Sequence, residues 1–416
     1  MPDAAPPTAS TRALLAERDY MLFWCSRWLG TFGSQIQGVT MGWQIYAVSR
    51  RTLSVGASAL NVSLIGLVTY IPLLLLALPA GEAADRHDRR GVLMVCYVGE
   101  LVAVTILVWA AFAGRASVPL LLATAVLFGT SRAFFSPASS ALGPMLVPPA
   151  LLPRSIAFNS LAWQSGSIAG PAVAGLLIAL SPGAAYVAVV ATYVAAATCL
   201  WTIRKPTRPA PQPGSRLELV KEGLAFVWNN KIIFGAISLD LAAVILGGAT
   251  ALLPAFARDV LHVGAQGFGL LRAAPALGAT AIGIYIARRP ILRHAGIAMF
   301  TGVGVFGVAT VIFGVSQLLW LSVAALAILG AADMLSVFVR GTLIQIKTPD
   351  AMRGRVGAVS NLFVGASNEL GEFESGIAAR LLGVVGAAVF GGVGALAATG
   401  LWAWLFPALR KADRLE

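Results

Sequence analysis

Long apolar runs alternate with short polar breaks along nearly the whole chain. Gly56–Gly81 holds no Asp, Glu, Lys, Arg or His. Neither does Ser155–Ile203, which is interrupted by Ser181-Pro182-Gly183, nor Ala295–Ala332, nor Leu381–Leu409. A bilayer core of roughly 30 Å takes about 20 apolar residues as helix. Backbone amides in lipid must be paired within the segment, so such runs predict helices rather than strands. The pattern predicts twelve spans, over 20–48, 56–80, 91–113, 117–142, 155–180, 183–203, 231–257, 265–287, 292–314, 317–346, 355–380 and 384–408. The fold class expected is an all-α membrane protein with two six-helix bundles.

Composition agrees with the pattern. Of 416 residues, 58% are hydrophobic and 12% charged, against about a quarter charged in soluble domains. Residues 1–19 lack a signal-cleavage pattern, so the first span is expected to act as an uncleaved anchor. Cys25, Cys96 and Cys199 stand alone inside spans, and His87, His262 and His294 lie in or beside loops. Neither set has the spacing of a disulfide framework or a metal site. No cofactor and no metal are expected, and no nucleophile or phosphate-loop motif supports a membrane-embedded enzyme.

The net charge of +12 suggests nucleic acid until it is placed on the topology. With the N-terminus inside, the inner loops and tails hold 21 of the 30 Lys and Arg. The outer loops hold four: Arg50, Arg51, Arg115 and Arg258. Arg27, Arg132, Arg272, Arg340 and Arg380 fall within spans. That bias predicts an inner-membrane protein with both termini cytoplasmic. Arg50-Arg51 runs against it.

The chain also repeats itself. At an offset of 201 residues, Gly129 falls on Gly330, Pro148 on Pro349, Arg154 on Arg355, Gly170 on Gly371 and Gly175 on Gly376. The expected organisation is a tail over 1–19, a bundle over 20–203, a linker over 204–230, a second bundle over 231–408 and a tail over 409–416. The linker opens Pro-rich. It then carries Leu217, Val220, Leu224 and Val227 at helical spacing, which predicts a short helix on the membrane surface. Parallel six-helix halves mark a transporter with its substrate site between them near mid-membrane.

Between the second and third spans lies the charged stretch GEAADRHDRR, residues 81–90. Gly81, Asp85, Arg86, Arg89 and Arg90 match G-x-x-x-D-R-x-G-R-[RK], and Asp88 replaces the usual Gly. With the helix count and the repeat, this resembles the major facilitator superfamily. Further stretches, RAFFSPASSALGPMLVP, GPAVAGLL, KEGLAFVW and TPDAMRGRVGAVSNLFVGASNELGEFESG, are similar to the bacterial branch containing the enterobactin exporter and drug-efflux proteins. The resemblance implies that the charged loop clasps the two halves on the cytoplasmic side while the outer face is open. Asp85 would then meet the start of the eleventh helix, where the dipole favours an anion and where Arg353 and Arg355 lie. Arg86, Arg89 and Arg90 would meet acidic groups or helix C-terminal carbonyls. Read without the resemblance, the cluster is a positive-inside signal.

Ionisable residues in mid-span are functional candidates by default. Arg27 and Arg132 lie in the first half, Asp240 and Asp333 in the second, and the repeat sets Asp333 on Arg132. The resemblance implies that the first, fourth, seventh and tenth helices line the cavity, so a basic wall would face an acidic one. Arg27 and Arg132 would hold an anionic or polar cargo group, and Asp240 or Asp333 would exchange a proton. The alternatives are that Arg27 snorkels to the surface and that Arg132 and Asp333 pair within their own halves. Glu369 and Glu372 are three apart and share a helix face, a spacing that would push one pKa upward and suit proton carriage; the alternative is a hydrated cluster toward the outer half of the eleventh helix. Glu100 is expected to be structural, Trp24 and Trp43 interfacial anchors, and Trp163 open to stacking on cargo. The resemblance of GPAVAG around Pro171 to the antiporter helix motif favours export.

The function expected is proton-coupled export of small amphipathic molecules, siderophore-like or drug-like, by alternating access. A lysophospholipid or other lipid flippase on the same fold is the alternative. The partners expected are the small molecule, the bilayer and the proton gradient, with no nucleic acid, for a monomer.

Overall fold

Ten helical stretches are long and apolar enough to cross a membrane, and the way two further spans arise shows what composition alone misses. The structure is a computed structural model that describes residues 11–208, 216–289 and 293–412. The ends of both expected tails and the Pro-rich start of the linker lie outside the described residues. The first half holds α1 (Arg18–Ser49), α2 (Val55–Leu75), α3 (Arg89–Phe112), α4 (Val118–Met145), α5 (Leu152–Leu180) and α6 (Pro182–Trp201). The second holds α7 (Lys231–Leu246), α8 (Gly264–Arg288), α9 (Ala295–Val315) and α10 (Leu319–Lys347). One helical stretch, Arg353–Leu405, then turns at Gly383, whose φ of 74° and ψ of 166° leave the helical region. It gives α11 (353–382) and α12 (384–405). Only glycine enters that conformation cheaply.

Helix α1 completes the twelve although it is too polar to pass on composition. Its polar side chains are satisfied inside the half rather than removed. The Tyr193 hydroxyl of α6 donates to Gln37 Oε1 at 3.0 Å, and that of Tyr186 donates to Gln44 Oε1 at 2.8 Å. Buried polar atoms paired in this way no longer oppose burial.

Two expected spans are broken. The 56–80 span stops at Leu75, and Ala77–Arg86 is a separate helix. The charged stretch is therefore not a loop: Gly81–Arg86 ends that helix and Arg89-Arg90 open α3. The 231–257 span stops at Leu246, where Gly247-Gly248 and then Pro254 deny continuous helix. The chain continues through the turns Ala249–Leu252 and Leu253–Ala255 and a wide turn over Phe256–Val260.

The 201-residue repeat is visible in packing. A Cβ on Gly129 of α4 would strike the Thr69 backbone of α2, and one on Gly330 of α10 would strike the Pro275 backbone of α8. The same contact is thus made once in each half. Pro148 and Pro349 each precede a single 3₁₀ turn, Pro149–Leu151 and Asp350–Met352.

The halves meet along two seams, α2 against α11 and α5 against α8. Gly175 lies on the second seam, where a Cβ would come 2.9 Å from Gly269 Cα. Its repeat partner Gly376 lies on the first, against Leu60 and Ser63. The linker helix Arg216–Asn229 buries Val227 with Ile233, Ile237, Ile344, Val356 and Val359, so it docks on the second half.

Both chain ends and the linker share one end of the molecule, here the near end. Lys205 pairs with Glu17 at 2.8 Å, and the Gly296 amide donates to Ala412 O at 2.8 Å. The turns near residues 50, 114 and 262 lie at the far end.

Candidate functional site

The site lies between the two halves, and its geometry starts from where they are joined. Hydrogen bonds join the halves at the far end and along the seams. At the far end Tyr46 O–H donates to Asp259 Oδ2 at 2.5 Å, and Arg50 Nη2 donates to Asp259 Oδ1 at 3.2 Å. Deeper, Gln164 Nε2 of α5 donates to Ala276 O at 3.1 Å and to Thr280 Oγ1 of α8. Tyr70 O–H of α2 donates to Leu362 O of α11 at 3.1 Å, the bond nearest the near end. Trp43 and Phe268 stack across the same division, centroids 5.6 Å apart.

The first half presents a cavity of about 110 Å³ bordered by Arg27, Glu100, Arg132, Phe135, Ser139 and Trp163. Arg27 Nη1 donates to Ser139 Oγ at 3.4 Å, so it points into the half instead of snorkelling. The Arg132 guanidinium lies 5.5 Å from the Phe128 ring centroid, a cation–π contact. Trp163, 45% exposed, offers its face. The expectation that Glu100 is only structural is too narrow, because it borders this cavity.

The expected acidic wall is not free. Asp240 of α7 forms an ion pair with Arg340 of α10, both side chains 5% exposed. Ser336 Oγ donates to Asp240 Oδ1 at 3.5 Å. Asp333 borders the same small void of about 10 Å³ as Asp240 and Ser336, space for about one water. Two acids thus lie beside one arginine. Arg340 follows Asp333 by seven residues, two turns along one face, which was the sequence signal for it.

Glu369 and Glu372 do meet, at the α2–α11 seam. A Cβ on Gly66 would strike Glu369 Oε2 and come within 3.3 Å of Glu372 Oε2. Thr250 Oγ1 donates to Glu372 Oε1 at 2.7 Å, and Arg272 Nη1 of α8 lies 3.9 Å from the same oxygen. Arg272 is a partner the sequence reading did not assign.

Arg86, Arg89, Arg90 and Asp88 bond within the first half and the start of the linker. Arg86 pairs with Glu82 at 2.8 Å. Arg89 donates to Ala84 O at 3.1 Å and Ala141 O at 2.9 Å, and Arg90 to Ile203 O at 2.5 Å. Asp88 caps α3, accepting the Gly91 amide at 3.1 Å, and also accepts the Thr207 hydroxyl. At the head of α11, Arg353 pairs with Asp350 at 2.9 Å and Arg355 with Glu222. Trp24 and Trp43, expected as interfacial anchors, have partners within the protein. Trp24 Nε1 donates to Phe158 O at 2.8 Å inside the first half, and Trp43 stacks at the seam.

Two repeated six-helix halves, joined at one end and lined with buried charge, define a major facilitator transporter. The chain belongs to the transmembrane secretion effector family, whose profile matches residues 9–416. It is 29% identical over 389 residues to the enterobactin exporter of Citrobacter koseri, covering 89% of this chain and 84% of that protein. It is 28% identical over 386 residues to the enterobactin exporter of Escherichia coli O1:K1, with the same coverage. A bacterial homologue of the human lysosomal transporter Spinster, inward-facing and unoccupied, superimposes with a TM-score of 0.71 at 15% identity, over 95% of this chain and 96% of that one. A bacterial homologue of the iron transporter ferroportin, inward-facing, gives 0.69 at 17% identity, over 95% and 99%. The twelve-helix major facilitator fold expected from the sequence is the fold of this chain.

Proposed function

We propose that this chain is a secondary active transporter that exports small amphipathic molecules, siderophore-like or drug-like, by alternating access in exchange for protons. It acts as a monomer in the bacterial inner membrane, with both termini cytoplasmic and the far end outside. The observation that carries this reading is the pairing of a charged cavity with bonds between the halves at the far end and along the seams. Such an arrangement opens the cavity toward the near end and leaves a second state, open at the far end, to be reached by breaking the far-end bonds. The identity to enterobactin exporters supports export and a siderophore-like cargo.

Arg27, Arg132 and Trp163 hold the cargo in this reading. Glu369, Glu372 and Asp333 carry protons, because each lies beside another acid and each is within reach of an arginine that can take over its charge. Asp240 holds Arg340 in place. Gly81, Asp85, Arg86, Arg89 and Arg90 close the near end against the head of α11, at Arg353 and Arg355, once the far end opens.

The test is uptake into inverted vesicles of a catecholate siderophore, a lipophilic cation and a lysophospholipid, with and without a proton gradient. Uptake of the siderophore or the cation that falls on collapsing the gradient, and in Asp333→Asn or Glu369→Gln, is expected. Uptake indifferent to the gradient overturns proton exchange, and uptake of the lysophospholipid alone replaces export of soluble cargo with lipid movement.

A further inference from the structure

Glu100 of α3 is an acid the transport reading leaves without a task. It is 4% exposed, and it borders the first-half cavity together with Arg27 and Arg132. Among the described residues no side chain or backbone group donates a hydrogen bond to its carboxylate. A buried carboxylate without donors is costly unless something else balances it. Its neighbours on its own helix are Cys96 and Tyr97, and Tyr97 O–H donates to Ser26 O of α1 at 2.9 Å rather than to Glu100. From α6 comes Tyr193, whose hydroxyl is committed to Gln37. From α4 comes Arg132, which Glu369 of α11 also faces, and Arg27 of α1 borders the same cavity. Arg132 and Arg27 are the cations that border the cavity with it among the described residues.

The charge count of the cavity follows. Among the groups that border it, and with Glu369 protonated, two arginines and an ionised Glu100 leave one positive charge for a ligand. With a proton on Glu100, two are left. Phe135 and Trp163 supply aromatic faces for a planar body, and Ser139 supplies a hydroxyl.

We propose that Glu100 is the charge selector of this cavity: ionised, it restricts the site to singly charged anionic groups, and when it takes a proton the site accepts doubly charged ones. The inference rests on the transport reading only in placing the ligand at this cavity. A doubly charged ligand and one proton are then bound together, and the proton comes from solvent to the Glu100 carboxylate. An extra unit charge several ångström away, at an effective dielectric constant of about 20, changes affinity on the order of tenfold.

The probes are benzenesulfonate and benzene-1,3-disulfonate, whose charges do not change between pH 6 and 9. Their affinities for the full-length protein in lipid nanodiscs are measured by calorimetry across that range, in buffers of different ionisation heat. In wild type the preference for the disulfonate is expected to fall by roughly tenfold from acid to alkaline pH. Disulfonate binding should take up as much as one proton per molecule, and monosulfonate binding less. In Glu100→Gln the preference should stay at its acid value at every pH, with no proton uptake. A wild-type preference that is flat with pH and without proton uptake overturns the proposal, as does a pH dependence that survives in Glu100→Gln, or failure of either sulfonate to bind. If the variant does not fold, wild-type proton uptake decides alone. Binding is read without transport, so vesicles that move nothing would sink the exporter reading and leave this one standing.

Discussion

Arg50 and Asp259 form an ion pair of 3.2 Å between the end of α1 and the wide turn that follows α7. The two residues belong to different halves, and Tyr46 adds its hydroxyl to the same carboxylate. This gives Arg50 a partner in the other half, which accounts for a basic residue that runs against the charge bias expected of the chain. Its place is set by a partner, not by topology. The side chains are 26% and 21% exposed, so the pair is worth about 0.2–1 kcal/mol. That is small enough to break once per cycle. Asp259→Asn is expected to shift the population toward far-end opening by up to about fivefold. Distances between spin labels at positions 53 and 262 should lengthen or broaden, and an unchanged distribution would remove the pair from the gate.

The same pair has a definite pH response on its basic side. Hydrogen bonding to Asp259 raises the Arg50 pKa above its ordinary value, with burial acting weakly against it. A raised basic group contributes fully below its unfolded pKa and loses that contribution only as pH rises through the folded one. The unfolded value of arginine is already above about 12. The label distances should therefore not change between pH 7 and 10 through Arg50. A transition in that window, retained in Tyr46→Phe, would contradict this.

Asp240 and Arg340 should be unequal partners in mutagenesis. Removing the acid leaves a buried guanidinium with only Asp333 near it, which costs about 3–5 kcal/mol when no compensation exists. Asp240→Asn is expected to lower thermal stability in detergent more than Asp333→Asn does. Asp240→Asn combined with Arg340→Gln should recover part of the loss. Equal melting temperatures for the two single variants would mean that the three groups share charge evenly.

Asp88 stands where the superfamily motif usually has glycine, and its work is local. It caps α3 through the Gly91 amide and holds Thr207. Asp88→Ala should cost about 1 kcal/mol, and Asp88→Gly only a few tenths from the cap itself. Chemical denaturation of the two variants checks the order. If glycine is the worse of the two, the backbone at position 88 matters more than the cap.

The seam glycines predict a loss of motion without a loss of fold. At Gly175 an added Cβ would lie 2.8 Å from Ala265 O and 2.9 Å from Gly269 Cα. Overpacking of this kind costs about 1–3 kcal/mol, and here it is relieved by parting α5 from α8. Gly175→Val is expected to abolish vesicle uptake while helix content, read by circular dichroism, stays within a few per cent of wild type. Normal uptake would show that the halves do not move on this seam.

What the sequence made legible was whatever repeats or accumulates over many residues. Twelve spans, two halves and the glycine register were readable because each rests on tens of residues or on one ungapped alignment. The linker helix was readable from four apolar positions. Partners were not. Asp240 sits about a hundred residues from Arg340, and nothing in either helix tells how far each is rotated about its axis. The match of Arg132 to Asp333 suggested walls of opposite sign, but the register relates positions within halves and says nothing about which third residue neutralises them. The charged stretch at 81–90 read as a loop because charge density masks helix, and its Ala-rich core, Ala80 to Ala84, carried the opposite signal.

Gly175 and Gly376 occupy one repeat position and serve two different seams. At these two positions the seams depend on the lack of a side chain, while the cavity is bordered by the side chains of other residues. The bearing and the lock are written in different residues. On the proposed reading, recutting Arg27, Glu100, Arg132 or Trp163 would change the cargo and leave the seam glycines untouched.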